Sequence, residues 1–171
     1  MQLSGALLNQ PVLSLRTGTP IAMVLRPLIN PNNLKVEGFY CQDGRDRKKE
    51  LILLYQDIRD VIPQGVVVND YEALSEPDEL VRLKEIMHID YELLGKTVVT
   101  TDKEKIGKVN DYAIETTTMY VQKLYVSRSM FKSFASGNLG VDRTQIIEID
   151  DKKIVINDLQ QKVPARANAV A

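Results

Sequence analysis

Val66-Val67-Val68-Asn69-Asp70 returns as Ile154-Val155-Ile156-Asn157-Asp158, an aliphatic run closed by the same Asn-Asp pair at a spacing of 88 residues. Upstream of it, other positions recur in the same order. Ile58 and Val61 match Ile146 and Ile149 at that spacing, while Val36 and Tyr40 match Val121 and Tyr125 at a spacing of 85. Ile21 and Val24 match Ile106 and Val109, also at 85, and Leu7-Leu8 with Val12 match Leu93-Leu94 with Val98 at 86. A spacing that drifts by a few residues while the order holds is what loop insertions between retained strands produce. The chain therefore reads as two copies of one unit.

Each copy reads as β-rich. The chain has no tryptophan and three phenylalanines, so Val, Ile and Leu must supply most of its core, and two of these are β-branched strand formers. First strands are expected over 11–16 and 97–101, each followed by a polar turn, Thr17-Gly18-Thr19-Pro20 or Asp102-Lys103-Glu104-Lys105. Second strands begin at Ile21 and Ile106, with Gly107 standing where the first copy has Ala22. A small residue at that place in both copies predicts a bend or a close backbone approach. Third strands follow over 34–41 and 119–126, then 51–62 and 139–149, and last the two quoted runs. Short strands with frequent turns predict a small barrel or sandwich.

Between the copies, Ser75-Glu76-Pro77-Asp78-Glu79 has the signature of a helix start: a capping serine, an early proline and acids at the positive helix end. Leu80, Leu83 and Met87 recur at helical spacing and predict one face packed on a barrel. The expected fold class is mainly β: two tandem small barrels joined by a short α-helix. The units are 1–74, a linker helix over 75–88, a second domain over 89–160, and a loose tail over 161–171.

Charge and composition exclude several functions. Net charge is −1 from 22 basic and 23 acidic residues, so no global field favours nucleic acid. A single cysteine, Cys41, excludes an intramolecular disulfide. The start, Met1-Gln2-Leu3-Ser4-Gly5, lacks a charged n-region, and no stretch approaches the apolar length of a membrane helix. A cytoplasmic protein without membrane insertion is expected. With one histidine, His88, and one cysteine, a tetrahedral nitrogen/sulfur metal site cannot form within the chain, and Asp150-Asp151 reads as a tight turn. Cys41 reads as a small buried residue, and no phosphate-cradling glycine motif is present. No catalytic residue, cofactor or metal is expected.

The copies differ most after the third strand. In the first the connection is Asp43-Gly44-Arg45-Asp46-Arg47-Lys48-Lys49-Glu50; in the second, Ser127 to Gly137 places Met130, Phe131 and Phe134 among serines and glycine. Arg45, Arg47, Lys48 and Lys49 form either a solvated hairpin or a contact for RNA or an acidic protein. The three apolar residues either cap their own barrel or anchor a protein partner or a second copy of this chain.

The second copy resembles the PRC-barrel family. Leu93-Leu94-Gly95-Lys96-Thr97-Val98-Val99, then Ile106-Gly107-Lys108-Val109-Asn110-Asp111, is similar to the family's opening pattern, and Arg143 to Ile149 with Ile154-Val155-Ile156 to its closing strands. In the first copy Asn9-Gln10 replaces the Gly-Lys and Ala22 the later glycine. The resemblance implies a strongly bent barrel used for protein contact, with no shared catalytic residues. Family settings include the C-terminal barrel of the ribosome-maturation factor RimM and the cytoplasmic part of the photosynthetic reaction-centre H subunit. A non-enzymatic adaptor is thus the expectation, with an RNA- or ribosome-associated assembly factor as the alternative.

Overall fold

In the computed structural model, which describes residues 1–128 and 138–157, the aliphatic runs become strands. The first half comprises β1 (Gln2–Leu3), α1 (Ser4–Leu7), β2 (Pro11–Ser14), β3 (Pro20–Asn30), β4 (Lys35–Asp43), β5 (Glu50–Leu54), β6 (Ile58–Ile62) and β7 (Gly65–Val68). The short strand β8 (Leu74–Ser75), two 3-10 turns and α2 (Lys84–Ile89) lead onward. The second half comprises β9 (Thr97–Thr100), β10 (Lys105–Glu115), β11 (Tyr120–Arg128), β12 (Asn138–Asp142), β13 (Ile146–Ile149) and β14 (Lys153–Ile156).

The halves pair their strands alike. β2, β3, β4 and β5 form an antiparallel run, with β7 parallel to β2 and β6 antiparallel to β7; β9 to β14 repeat each of these pairings. Register agrees as well. Gly38↔Leu54 through Gln42↔Glu50 corresponds to Lys123↔Asp142 through Ser127↔Asn138, position by position. Irregularities interrupt β3 between Val24 and Arg26 and between Leu28 and Ile29, and β10 at the equivalent Val109/Asp111 and Ala113/Ile114. Such bulges bend a long strand and let one sheet wrap a core.

Bending also follows from the connections. β5 and β6 lie at opposite ends of the first half's pairing order, yet only the 3-10 turn Tyr55–Asp57 separates them in sequence. Arg143–Gln145 does the same between β12 and β13. Each half is therefore drawn round, but among the described residues no ladder joins β5 to β6 or β12 to β13. The sheet is curled and not closed. The described strands also form one 14-stranded sheet, because β4 pairs with β11. The expectation of two separately closed barrels is corrected to this extent. One hydrophobic cluster runs through both halves, from Val12, Val36, Phe39 and Leu53 to Val98, Leu124, Val141 and Ile156. A unit this small buries little apolar surface alone, and sharing a core enlarges the buried fraction.

At the seam, Lys35 faces Tyr120, flanked by Val36 N–H to Met119 O at 2.7 Å and Val121 N–H to Leu34 O at 3.0 Å. Leu34 and Met119, equivalent residues, both take positive φ (55° and 58°) and bury their side chains. A left-handed leucine or methionine is strained, so burial and the reciprocal bonds must hold the turn. Around this pair cations and rings alternate. The Lys35 ammonium lies 3.9 Å from the Tyr55 ring centre and 6.0 Å from that of Tyr120, and the Arg143 guanidinium lies 4.4 Å from the Tyr120 centre. The first half supplies its cation from a strand and its ring from the 3-10 turn; the second half reverses them.

The termini of the halves cross over. β1 pairs with β10, and Ser4 Oγ donates to Asp111 Oδ1 at 2.6 Å. At the equivalent positions Arg26 Nη1 donates to Asp90 Oδ1 at 2.5 Å, so the segment entering each half is bonded to the second strand of the other. The linker differs from the single helix expected from Ser75. Ser75 belongs to β8, Glu76 caps the 3-10 turn Pro77–Glu79 in a capping box, and Leu80 (φ −92°, ψ 64°) prevents the turns from merging. Its apolar face is as expected: Leu80, Leu83, Ile86 and Met87 pack over buried Leu28, Tyr40 and Ile52 on the outer side of the sheet.

Gly107 explains its small size by contact. A Cβ there would stand 1.8 Å from the Ser127 carbonyl oxygen, whereas one on Gly140 would meet only the Lys123 side chain at 3.6 Å. Gly107→Ala is expected to lower stability by about 1–3 kcal/mol in urea unfolding, and Gly140→Ala to stay within about 0.5 kcal/mol. At the seam, a double-mutant cycle of Tyr120→Leu with Arg143→Met is expected to give a coupling of about 0.5–1 kcal/mol.

Candidate interaction surfaces

Asp43, the last residue of β4, organises the first-half loop. It is buried, and both carboxylate oxygens are used: Oδ1 accepts the Arg45 N–H and Oδ2 the Tyr71 hydroxyl, each at 2.9 Å. Burying a carboxylate is costly unless its lone pairs are occupied, so these bonds fix the start of the loop. Gly44 follows because a Cβ would stand 2.5 Å from the Ile21 carbonyl oxygen. The Arg45 guanidinium then lies 3.5 Å from the Tyr71 ring centre, folded back on its own half.

Of the four cations singled out in this loop, two are therefore engaged. Arg45 stacks on Tyr71, and Lys49 pairs with Glu76 across to the linker. Arg47 and Lys48 are exposed, their backbone groups closing the turn with Gln42 and Asp46. The loop is a built hairpin with two outward cations, less than the charge a phosphate backbone contact draws on. Met130, Phe131 and Phe134, the candidate apolar anchors, lie outside the described residues.

Two concave surfaces were not foreseen. An open groove of about 1050 Å³ runs between β3 and α2, lined among others by Arg26, Tyr40, Glu50, Met87 and Asp90. Arg26 sits 3.5 Å from the Tyr40 ring centre and is paired with Asp90 at 2.5 Å and Glu50 at 3.5 Å, so its charge is compensated within the chain. A smaller cleft of about 310 Å³ lies beside the seam, between the Pro31–Leu34 turn and the segment from Arg143 to Ile149. Nothing in either segment's composition marks a cleft. Only the pairing of Lys35 with Tyr120 brings them together.

Three further titratable groups are buried in the core. Cys41 is fully buried, and burial pushes its thiol up to about 12. Burial likewise raises the Tyr91 hydroxyl to about 12 and that of Tyr112 further still. A thiol or phenol held in its neutral form is a poor nucleophile or base near neutral pH. His88 is exposed on α2. Among the described residues no cluster of His, Cys, Asp and Glu is arranged to hold a metal, and no helix is long and apolar enough to cross a membrane.

These shifts set the alkaline stability. Ordinary Cys and Tyr ionise near pH 8.5 and 10 in the unfolded chain (approximate reference values), while the folded protein keeps these protons to higher pH. In that window the folded state binds more protons, so stability falls as pH rises, by up to about 1.4 kcal/mol per unit for each such group. The urea midpoint is expected to hold steady through about pH 8 and to decline from about pH 9 toward 12. Cys41 is expected to resist thiol reagents until the chain unfolds; rapid labelling of the native protein would contradict its burial.

No curated protein matches the chain. Residues 85–162 match the family model of the PRC-barrel domain.

Proposed function

We propose that the protein is a non-enzymatic adaptor built from two tandem PRC-barrels, and that it docks a protein partner through the loops after its third strands. The observation that carries this reading is the agreement of the halves in strand pairing and register, set against loops that differ completely in chemistry. Where the first copy has Asn9 for the glycine of the opening pattern, the departure is conservative in physical terms. Asn9 takes φ 59° where Gly95 takes 80°, and asparagine is among the few residues that tolerate the left-handed region. Ala22 and Gly107 occupy the same register position opposite Asp43 and Arg128.

A scaffold duplicated with its core retained and its loops diverged presents two unlike surfaces from one rigid body. The first is the charged hairpin bearing Arg47 and Lys48; the second carries Met130, Phe131 and Phe134, apolar residues suited to the desolvated centre of a protein contact. The engagement of Arg45 and Lys49 within the chain favours a protein partner over RNA. Association with a second copy through the same apolar loop is an outcome the test below separates. We place the protein in the cytoplasm on the same reading.

The test is affinity purification from the native cell with the wild-type chain and a variant carrying Met130→Ser, Phe131→Ser and Phe134→Ser. A stoichiometric protein partner is expected, with binding weakened at least about tenfold in the variant. Self-association lost in the variant would identify the second copy. Recovery of RNA or ribosomal particles that dissociate with salt and respond to Arg47→Ala with Lys48→Ala would transfer the reading to the RNA alternative. No partner in any arm, or one indifferent to all the substitutions, would overturn it.

A further inference from the structure

The cleft of about 310 Å³ beside the seam has two walls, one from each half. The first is the turn from Pro31 to Leu34, folded on Asn30. The Asn30 side-chain oxygen accepts the Asn32 N–H at 3.0 Å, and its carbonyl accepts the Leu34 N–H at 2.9 Å. Asn33 Oδ1 accepts the Lys35 N–H at 2.9 Å, which fixes that amide and leaves its Nδ2 without an acceptor among the described residues. The second wall is Arg143 with β13. A capping box between Asp142 and Gln145 holds the turn that carries Arg143, with the Asp142 N–H donating to Gln145 Oε1 at 2.8 Å.

Arg143 is held in place but not satisfied. Its guanidinium lies over the Tyr120 ring, 4.4 Å from the centre, and a guanidinium seated by its face still has five N–H groups to place in its own plane. Nη1 is shut off from solvent with no hydrogen-bond acceptor, and no described carboxylate pairs with the group. Arg26, the other half-buried arginine among the described residues, shows the ordinary arrangement: it too lies on a tyrosine ring, but Asp90 and Glu50 pair with it. An unmet buried donor costs free energy that an arriving acceptor recovers.

The lining selects among anions. Arg143 is its one cation, and the exposed Glu148 lines it as well. The nearby Lys35 ammonium is engaged with the Tyr55 ring and with Glu37 at 3.8 Å. A single planar guanidinium matches the two oxygens of one carboxylate, whereas the second charge of a phosphate meets Glu148. Pro31, Ile146 and Ile149 give an apolar wall to the carbon chain that bears the carboxylate.

We propose that this cleft binds a carboxylate, with Arg143 as its charged partner and the Asn33 amide as a second donor. The carboxylate belongs to a small free acid or to an acidic side chain of a protein. The site stands apart from the loops after the third strands and does not rest on their binding a partner.

NMR titration of the full chain at neutral pH and constant ionic strength tests this, with acetate, with the peptide acetyl-Ala-Glu-Ala-amide and with inorganic phosphate. Saturable shifts of the Asn33 side-chain amide and the Leu34 backbone amide are expected, with a Kd of about 1–10 mM for acetate. Arg143→Met is expected to weaken binding at least about tenfold, and so is Asn33→Asp, which keeps the acceptor for the Lys35 N–H and removes the donor. Glu148→Gln is expected to tighten binding about twofold. Unchanged backbone resonances in β3 and β11 away from the cleft establish that the variants remain folded. Peptide binding at least as tight as acetate assigns the site to a protein side chain, and binding of acetate alone assigns it to a small acid. Absence of saturable shifts with either carboxylate, or binding indifferent to the substitutions, would overturn the proposal. Phosphate binding more tightly than acetate would overturn it too.

Discussion

One aliphatic core running uninterrupted through the Lys35–Tyr120 seam is the constraint on which this structure depends. Neither half is large enough to bury much apolar surface alone, and the β4–β11 pairing lets each complete the other. The seam itself is slight in hydrogen bonds, two from backbone to backbone, and strained at Leu34 and Met119. Its stability comes from what surrounds it. Buried strands lie on either side, alternating cations and rings cover it, and the Ser4–Asp111 and Arg26–Asp90 bonds tie each half's entry segment to the other. Two halves clasped in this way present their surfaces at fixed spacing.

That rigidity gives the loops their meaning. In the first half, buried Asp43 anchors the hairpin and turns Arg45 back onto Tyr71, so the basic cluster written in the sequence is halved in the folded protein. Around Arg26, two carboxylates and a tyrosine ring absorb a charge that would otherwise suit an anionic ligand. Neutralisation of this kind is ordinary where charges can reach one another, and it leaves less uncompensated charge on this face than the sequence implies. The asymmetry between the halves then lies at their edges and loops, where the first copy has spent its following segment on covering Ile52 and Tyr40.

Much of this architecture was legible from spacing. The recurrence of Val66–Val68 as Ile154–Ile156, with the drift from 85 to 88, places the segments that become strands and predicts that Gly107 and Ala22 share a position, but 51–62 and 139–149 each divide into two strands around a 3-10 turn. The linker was only half legible: the apolar face of Leu80, Leu83 and Met87 was right, while the continuous helix was not, because Ser75 pairs with Ile52 and Leu80 breaks the run. The short β1 and α1 gave no periodic signal, being held by contacts to β10 more than 100 residues away.

The sequence by itself determined that the chain is mainly β and which aliphatic segments become strands, because those follow from β-branched composition and from turn chemistry that is local in the chain. Tertiary structure alone decided that the two units share one sheet and one core, which of the loop cations are paired within the chain, and that β12, among the described residues, pairs on one side only. Those outcomes depend on pairs such as Lys35 with Tyr120 or Lys49 with Glu76, whose partners are far apart in the chain and meet only once the sheet has curled.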